Sequence, residues 1–403
     1  MKQNIKIPEG YKNSSLGVIP EEWEVKKFRD ICSESRLGGN YENGSSKKGI
    51  PIIKMGNINR GKININELCY FSDYSNFNKA DILKRDDLLF NTRNTLDLVG
   101  KVAIWKNELP LAIYNSNLLR MYFYKYCMFS NDYANYYFNS SLALRQLKKY
   151  ATGTTSVAAI YTRDLNNLLF VLPNIKEQQQ IAKILTTWDE AIEKQTKIIN
   201  LLEKRKHGLM QQLLTGKKRL KGFTDKWEMK DLSNVSNIKK GKQVNKIDLN
   251  TNSKFPAING GIGPSGWLNK YNTEENTITI SEGGNSCGFI NLIKTKFWCG
   301  GHCYAVKEKK IIQKYFLFYI LKFNEKRIMN LRVGSGLPNI QSKSLLGFKI
   351  KFPTLSEQTA ISKILTEADN EINLAKQKLE HLQQQKKGLM QVLLTGKKRV
   401  KLN

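Results

Sequence analysis

From residue 177 the apolar positions form a stripe: Ile181, Leu185, Trp188, Ile192, Ile199, Leu202, Leu209 and Leu213. The steps alternate between four and three residues, and Gln195 and Lys206 fill the two polar stripe positions. Residues 357–401 repeat the pattern with Ile361, Leu365, Ala368, Ile372, Ala375, Leu379, Leu382, Leu389 and Leu393, again with a lysine, Lys386, in the stripe. The second stretch begins 180 positions after the first, aligns without a gap and is identical at about half its positions. A heptad seam sustained over about five repeats predicts two long helices, each roughly 57 Å at 1.5 Å per residue. Asn174 three before Glu177, and Thr354 three before Glu357, predict capping boxes behind Pro173 and Pro353. Both stretches end in LLTGKKR, where Gly216 and Gly396 suit a left-handed cap and the basic cluster faces the negative helix end. Gly208 and Gly388, inside the matched GLMQ segments, point to close backbone approach, to the partner helix or to another subunit.

The intervening segments alternate at shorter period. Ile50–Met55, Asp87–Phe90, Lys101–Trp105, Thr277–Ser281 and Phe289–Ile293 read as short strands, with helical patches over Asp132–Lys149 and Gln313–Leu331. The two segments align faintly. Trp23-Glu24-Val25 with Phe28 and Ile31 matches Trp227-Glu228-Met229 with Leu232 and Val235. Each closes on a small-residue turn, Gly153-Thr154-Thr155-Ser156 or Gly334-Ser335-Gly336, before a final alternating strand. The fold class is therefore α+β with an internal pseudo-twofold repeat. Two globular domains, 1–172 and 217–352, alternate with two long helices, 173–216 and 353–403. The first helix ends where the second domain begins, and the second helix starts where that domain ends. Two helices that pack together under this connectivity run antiparallel, as a coiled-coil spacer.

Charge narrows the function. Lysine and arginine number 65 against 35 acidic residues, a net charge of +30. That balance points to nucleic acid before an acidic membrane. The polar start MKQNIKIPEG is not that of a signal peptide, and the apolar run from Tyr315 to Leu321 is far too short to span a bilayer. Six scattered cysteines suit a reducing cytoplasm. Cys287, Cys299, His302 and Cys303 lack the paired knuckles of a structural zinc site, so buried small residues are expected there. Catalytic signatures are scarce. The chain has no GxxxxGK[ST] loop and no NPPY-like or DPPY-like loop. Gly261, Gly263 and Gly266 match GxGxxG, but Pro264 interrupts it and a turn follows, so a plain loop is expected.

In LPNIKEQQQIAKIL and FPTLSEQTAISKIL, the paired GLMQxLLTGKKR ends, LGVIPEEWEVKKF, GFTDKWEMKDL and GSGLPNI, the chain resembles the DNA-specificity (S) subunit of type I restriction-modification systems along essentially its whole length. The resemblance implies that each globular domain is a target-recognition domain reading one half of a bipartite, asymmetric duplex site. It implies that the helices set the spacing and dock two methyltransferase (M) subunits, which restriction/translocase (R) subunits join. The chain itself would be non-catalytic and bind no cofactor. S-adenosylmethionine, ATP and magnesium would belong to the partners. Ala158-Ala159-Ile160-Tyr161 replaces the PNI of the second domain, a departure from the family's turn. Alternatives are an autonomous nuclease or modification enzyme, and an RNA-binding scaffold. Candidate DNA contacts near predicted strand ends and turns are Lys54, Asn57, Asn91, Arg93, Asn94, Lys101 and Arg120 in the first domain. The second domain offers Lys240, Lys242, Asn259, Ser281, Glu282, Asn285 and His302. Gly153, Thr154, Gly334 and Ser335 are candidates for backbone approach to phosphate. Lys217–Arg219 and Lys397–Arg399 divide between helix-end electrostatics and DNA backbone contact.

Overall fold

A computed structural model describes residues 7–42, 49–72, 76–128, 130–154, 156–334, 336 and 338–402. Thr155 and Ser335, named above in the two turns, lie outside the described residues. The chain divides into two compact units, residues 1–194 with 379–403, and residues 195–378. Each unit contains one α+β lobe and half of each long helix. The helices span Ile175–Leu213 and Leu355–Leu393, 39 residues each. No described helix is long and apolar enough to cross a membrane.

Two sheets and a closing strand pair recur in both lobes despite their diverged sequences. In lobe one an antiparallel sheet runs in the order Cys32–Leu37, Leu118–Phe123, Leu88–Asn91, Val102–Ile104. Lobe two repeats it with Ser236–Lys240, Cys303–Glu308, Thr277–Ser281, Ile290–Ile293. A second sheet in each lobe contains one parallel pair, Ile50–Ile53 with Ile113–Tyr114 and Phe255–Ile258 with Trp298–Cys299. Glu24–Lys27 pairs with Leu169–Leu172, and Glu228–Asp231 with Lys349–Phe352, so in each lobe the strand after the shared tryptophan closes on the last strand. Each helical patch predicted from the sequence is two helices rather than one. Asn131–Phe138 stops before Ser140, whose hydroxyl caps Ser141–Tyr150 by accepting from Ala143 N. Lys314–Phe323 likewise gives way at Asn324 to Glu325–Met329. Gly266 opens the strand Gly266–Leu268, so the GxGxxG match ends in a strand, not a helix.

The helix halves pack antiparallel within each unit, since residue numbers fall along one as they rise along the other. In the first unit Lys386 Nζ lies 2.8 Å from Asp189, whose Oδ2 also accepts from Tyr136 OH at 2.8 Å. In the second, Lys206 Nζ lies 2.5 Å from Asp369, whose Oδ2 accepts from Tyr319 OH at 2.8 Å. The stripe lysines are thus paired across the seam. The third polar stripe residue, Gln195, donates to Ala375 O at 3.0 Å. Polar residues in a seam fix register, because sliding the helices would leave them buried without partners.

Beyond the seam, the KKR ends turn back. Arg219 grips Glu357 with two bonds of 2.7 Å, and Arg399 donates to Glu177 at 2.6 Å and to Glu22 at 2.8 Å. Glu22 is exposed, whereas Glu177 and Glu357 are fully buried. Their carboxylates therefore do not complete the predicted capping boxes. Asn174 Oδ1 still caps Glu177 N at 2.9 Å, but the Thr354 hydroxyl pairs with Ser356. Gly216 and Gly396 take the predicted left-handed conformation, with φ of +72° and +73°. Gly208 and Gly388 do not mark a close approach among the described residues, because a Cβ added at either meets nothing within 4 Å.

Alanine at Gly216 or Gly396 carries the left-handed penalty of about 1–2 kcal/mol. At Gly396 the new Cβ would also lie 2.2 Å from Pro20 Cδ, whereas at Gly216 its nearest neighbour is Trp227 at 3.5 Å. Gly396→Ala is therefore expected to destabilise the full chain more than Gly216→Ala in chemical denaturation. Equal losses would contradict this packing.

Candidate nucleic-acid interface

Matched strand ends build one cleft in each lobe. In lobe one Thr92 N donates to Asn117 O at 3.0 Å, and Ile160 N donates to Thr92 O at 2.9 Å. In lobe two Glu282 N donates to His302 O at 2.9 Å, and Ile340 N donates to Glu282 O at 2.8 Å. The loops after Ile53 and Ile258 meet the same places, through Asn115 N to Ile53 O at 3.1 Å and Gly300 N to Ile258 O at 2.8 Å. One backbone frame therefore presents Lys54, Thr92 and Asn117 in one lobe, and Asn259, Glu282 and His302 in the other.

The candidate residues of lobe one separate by burial. Lys54 is half-buried at the cleft, beside Asn57, Asn115 and Asn117. Asn57 is buried, accepting from Lys54 N at 2.9 Å and donating to Asn64 O and Glu67 O at 2.9 and 2.7 Å. It shapes the loop from within. Asn91 is fully buried and its Oδ1 accepts from Arg93 N at 3.2 Å. Arg93 is exposed, while Asn94 accepts from Thr95 N at 2.8 Å. Lys101 is half-buried; burial, and then repulsion from Arg60, pushes its ammonium down from the usual lysine range. Arg120 is an internal group. It donates to Ile82 O, Ala80 O and Asp87 at 3.0, 2.8 and 3.1 Å and lies between the Tyr114 and Tyr122 rings.

Lobe two exposes more of its candidates. Lys240, Lys242, Asn285 and His302 are exposed. Lys240 Nζ donates to Glu282 Oε1 at 2.5 Å. Asn259 Oδ1 accepts from His302 N at 3.1 Å and so fixes the turn that presents the imidazole. Ser281 is buried and its hydroxyl donates to Gly260 O. Tyr304 OH lies 3.1 Å from Glu282 Oε1 and 3.0 Å from Ile340 O. Burial, reinforced by Glu282, pushes the Tyr304 phenol up to about 12, so it remains a donor. The cysteines separate as well. Cys299 and Cys303 are buried in a small core with Ile258 and Phe297, whereas Cys287 belongs to the main core of the unit. The Cys299 hydrogen bond and burial push the Cys303 thiol up, away from the thiolate that a metal ligand needs.

The turns named from the sequence flank these clefts. Gly153, at φ +125°, opens a hairpin in which Thr152–Gly153 pairs with Ala158–Ala159, and that strand pairs with Arg93–Asn94. Gly334, at φ +94°, lies in the matching turn of lobe two, where Val333 and Gly283 each bridge Asn339. Asn117 and Asn339 line the clefts and Tyr304 supports Glu282 from the core; the sequence reading singled out none of the three. For Asn117, the polar run YNSN between apolar strands was the available signal.

The type I restriction modification DNA specificity domain family matches the chain twice, over residues 20–204 and 224–384. The chain is 30% identical to the putative type I restriction enzyme MjaX specificity subunit of Methanocaldococcus jannaschii, across 98% of this chain and 97% of that one. It is 25% identical to the type I restriction enzyme EcoKI specificity subunit of Escherichia coli, over 52% of this chain and 45% of that one. The crystal structure of the type I restriction-modification system S subunit from M. genitalium has the same fold, with a TM-score of 0.64 at 18% identity, covering 96% of this chain and 98% of that one.

Burial separates Arg120 of lobe one from Lys240 of lobe two. Arg120→Ala leaves Asp87 buried without its cation, a class of change that costs about 3–5 kcal/mol. Lys240→Ala removes an exposed partner and is expected to change stability by no more than about 0.5 kcal/mol. Denaturation midpoints of the two variants check this; comparable losses would contradict the assignment.

Proposed function

Because the chain belongs to the type I restriction modification DNA specificity family, we propose that it is the non-catalytic, sequence-specific duplex-DNA-binding subunit of a type I restriction-modification complex. The observation that carries the reading is the matched pair of clefts. One backbone frame occurs twice and is furnished with different side chains, as two heads reading unlike half-sites require. Phosphate contacts come from surface lysines and make affinity fall with salt. Base contacts come from the few polar groups at the cleft: Lys54, Arg93 and Asn117 in lobe one, and Lys240, Asn259, Glu282 and His302 in lobe two.

The repeated helices supply the second half of the proposal. Two like surfaces on one chain suit two copies of one partner, here the methyltransferase subunits, with the restriction/translocase subunits joining that assembly. Each helix passes through both compact units without a break, so helix length fixes the gap between the half-sites. S-adenosylmethionine, ATP and magnesium belong to the partner subunits, where adenine methylation and ATP-dependent cleavage take place. The complex works in the cytoplasm, where genomic DNA is its substrate.

Methylation mapping in cells carrying the chain and its methyltransferase tests both halves. Exchanging lobe two for that of a relative is expected to change one half of the methylated motif and leave the other intact. A change in both halves contradicts modular reading. Inserting one helical turn into each long helix is expected to change the gap or abolish methylation, and an unchanged gap contradicts the ruler.

A further inference from the structure

Glu282 is the one carboxylate among the described residues lining the cleft of lobe two, whose other polar side chains are Lys240, Asn259, Ser286, His302 and Asn339. A carboxylate facing a polyanion repels it, so its place here calls for a reason. Its Oε1 is held by Lys240 Nζ at 2.5 Å and Tyr304 OH at 3.1 Å. Its Oε2 lies 3.6 Å from His302 Nδ1, beyond hydrogen-bond reach, and retains acceptor capacity. The side chain is 13% exposed, so the oriented oxygen is presented at the cleft surface rather than waving in solvent. The matched position in lobe one is Thr92, whose hydroxyl donates to Asn117 O at 2.8 Å, so lobe one carries no carboxylate at this position.

We propose that Glu282 determines specificity in lobe two by accepting a hydrogen bond from an exocyclic amino group of the DNA, cytosine N4 or adenine N6. An ionised carboxylate only accepts, and these amines are the donors that bases present in the major groove. Lys240 and Tyr304 position the carboxylate and offset its charge against the phosphates. The proposal rests on the DNA-reading assignment made above.

The test uses the full chain assembled with its methyltransferase subunits. Once methylation mapping gives the motif, binding is compared between duplexes that carry each cytosine or adenine of the lobe-two half-site and duplexes in which that base lacks its amino group. Deleting the amine at one position is expected to weaken wild-type binding about tenfold or more, and to have no effect on Glu282→Ala, which has no side-chain acceptor, at that position. Cytosine and adenine duplexes identify which amine is read. Glu282→Leu, likewise without an acceptor oxygen, should show the same insensitivity and serves if the alanine variant fails to assemble. Amine deletions that act equally on wild type and variants at every position overturn the proposal and leave Glu282 a positioning residue for Lys240 and Tyr304. A wild-type complex without any motif overturns the DNA-reading assignment itself, and this proposal with it.

Discussion

Two buried carboxylates, Glu177 and Glu357, each held by an arginine from the end of the other long helix, are the constraint from which the architecture follows. Neither glutamate has accessible surface, and an ionised carboxylate in that position is tolerated only with close partners. Arg219 supplies two bonds to Glu357, whereas Glu177 accepts from both Arg399, at 2.6 Å, and the Trp23 indole, at 2.9 Å. Such pairs add little net stability over an apolar core, but they penalise every arrangement that separates them. The same holds for Lys206 with Asp369 and Lys386 with Asp189 in the seam. Apolar stripes alone would tolerate slippage by a heptad. Charged residues at matched positions make one antiparallel register far better than its neighbours.

That constraint also explains why the chain keeps its helices alike and lets its lobes diverge. Glu177, Asp189, Lys206 and Arg219 recur as Glu357, Asp369, Lys386 and Arg399, because each residue is one half of a pair that both units need. The lobes bear a different burden. Their shared strand order fixes where the cleft forms, while the residues at its strand ends touch little of the core. Thr92 can stand where Glu282 stands, and Asn117 where His302 stands, with the backbone bonds unchanged. A scaffold that separates fold from cleft chemistry in this way suits two unlike half-sites.

The long helices were legible because heptad periodicity is a one-dimensional property and the repeat displays it twice. The left-handed glycines were legible from the same ends. The partners of Arg219 and Arg399 were not. Their sequence context, a basic cluster after a helix, equally suits a helix end or a phosphate, and only the antiparallel packing brings Glu357 and Glu177 to them. The cleft was half legible. Lys54, Lys240, Asn259, Glu282 and His302 lie at strand ends, where turn residues and polarity had placed candidates. Arg120, Asn57 and Ser281 resembled them in type and position, yet they are buried and hold loops together, which depends on cross-strand neighbours that no local pattern reveals.

The central claim is that paired buried charges set the helix register, and a double-mutant cycle on Arg219 and Glu357 in the full chain measures it most directly. Denaturation of Arg219→Met, Glu357→Gln and the double variant should yield a favourable coupling energy, with the double variant more stable than the sum of the single losses implies. Additive losses would mean that the two groups do not depend on one another, and would contradict the account.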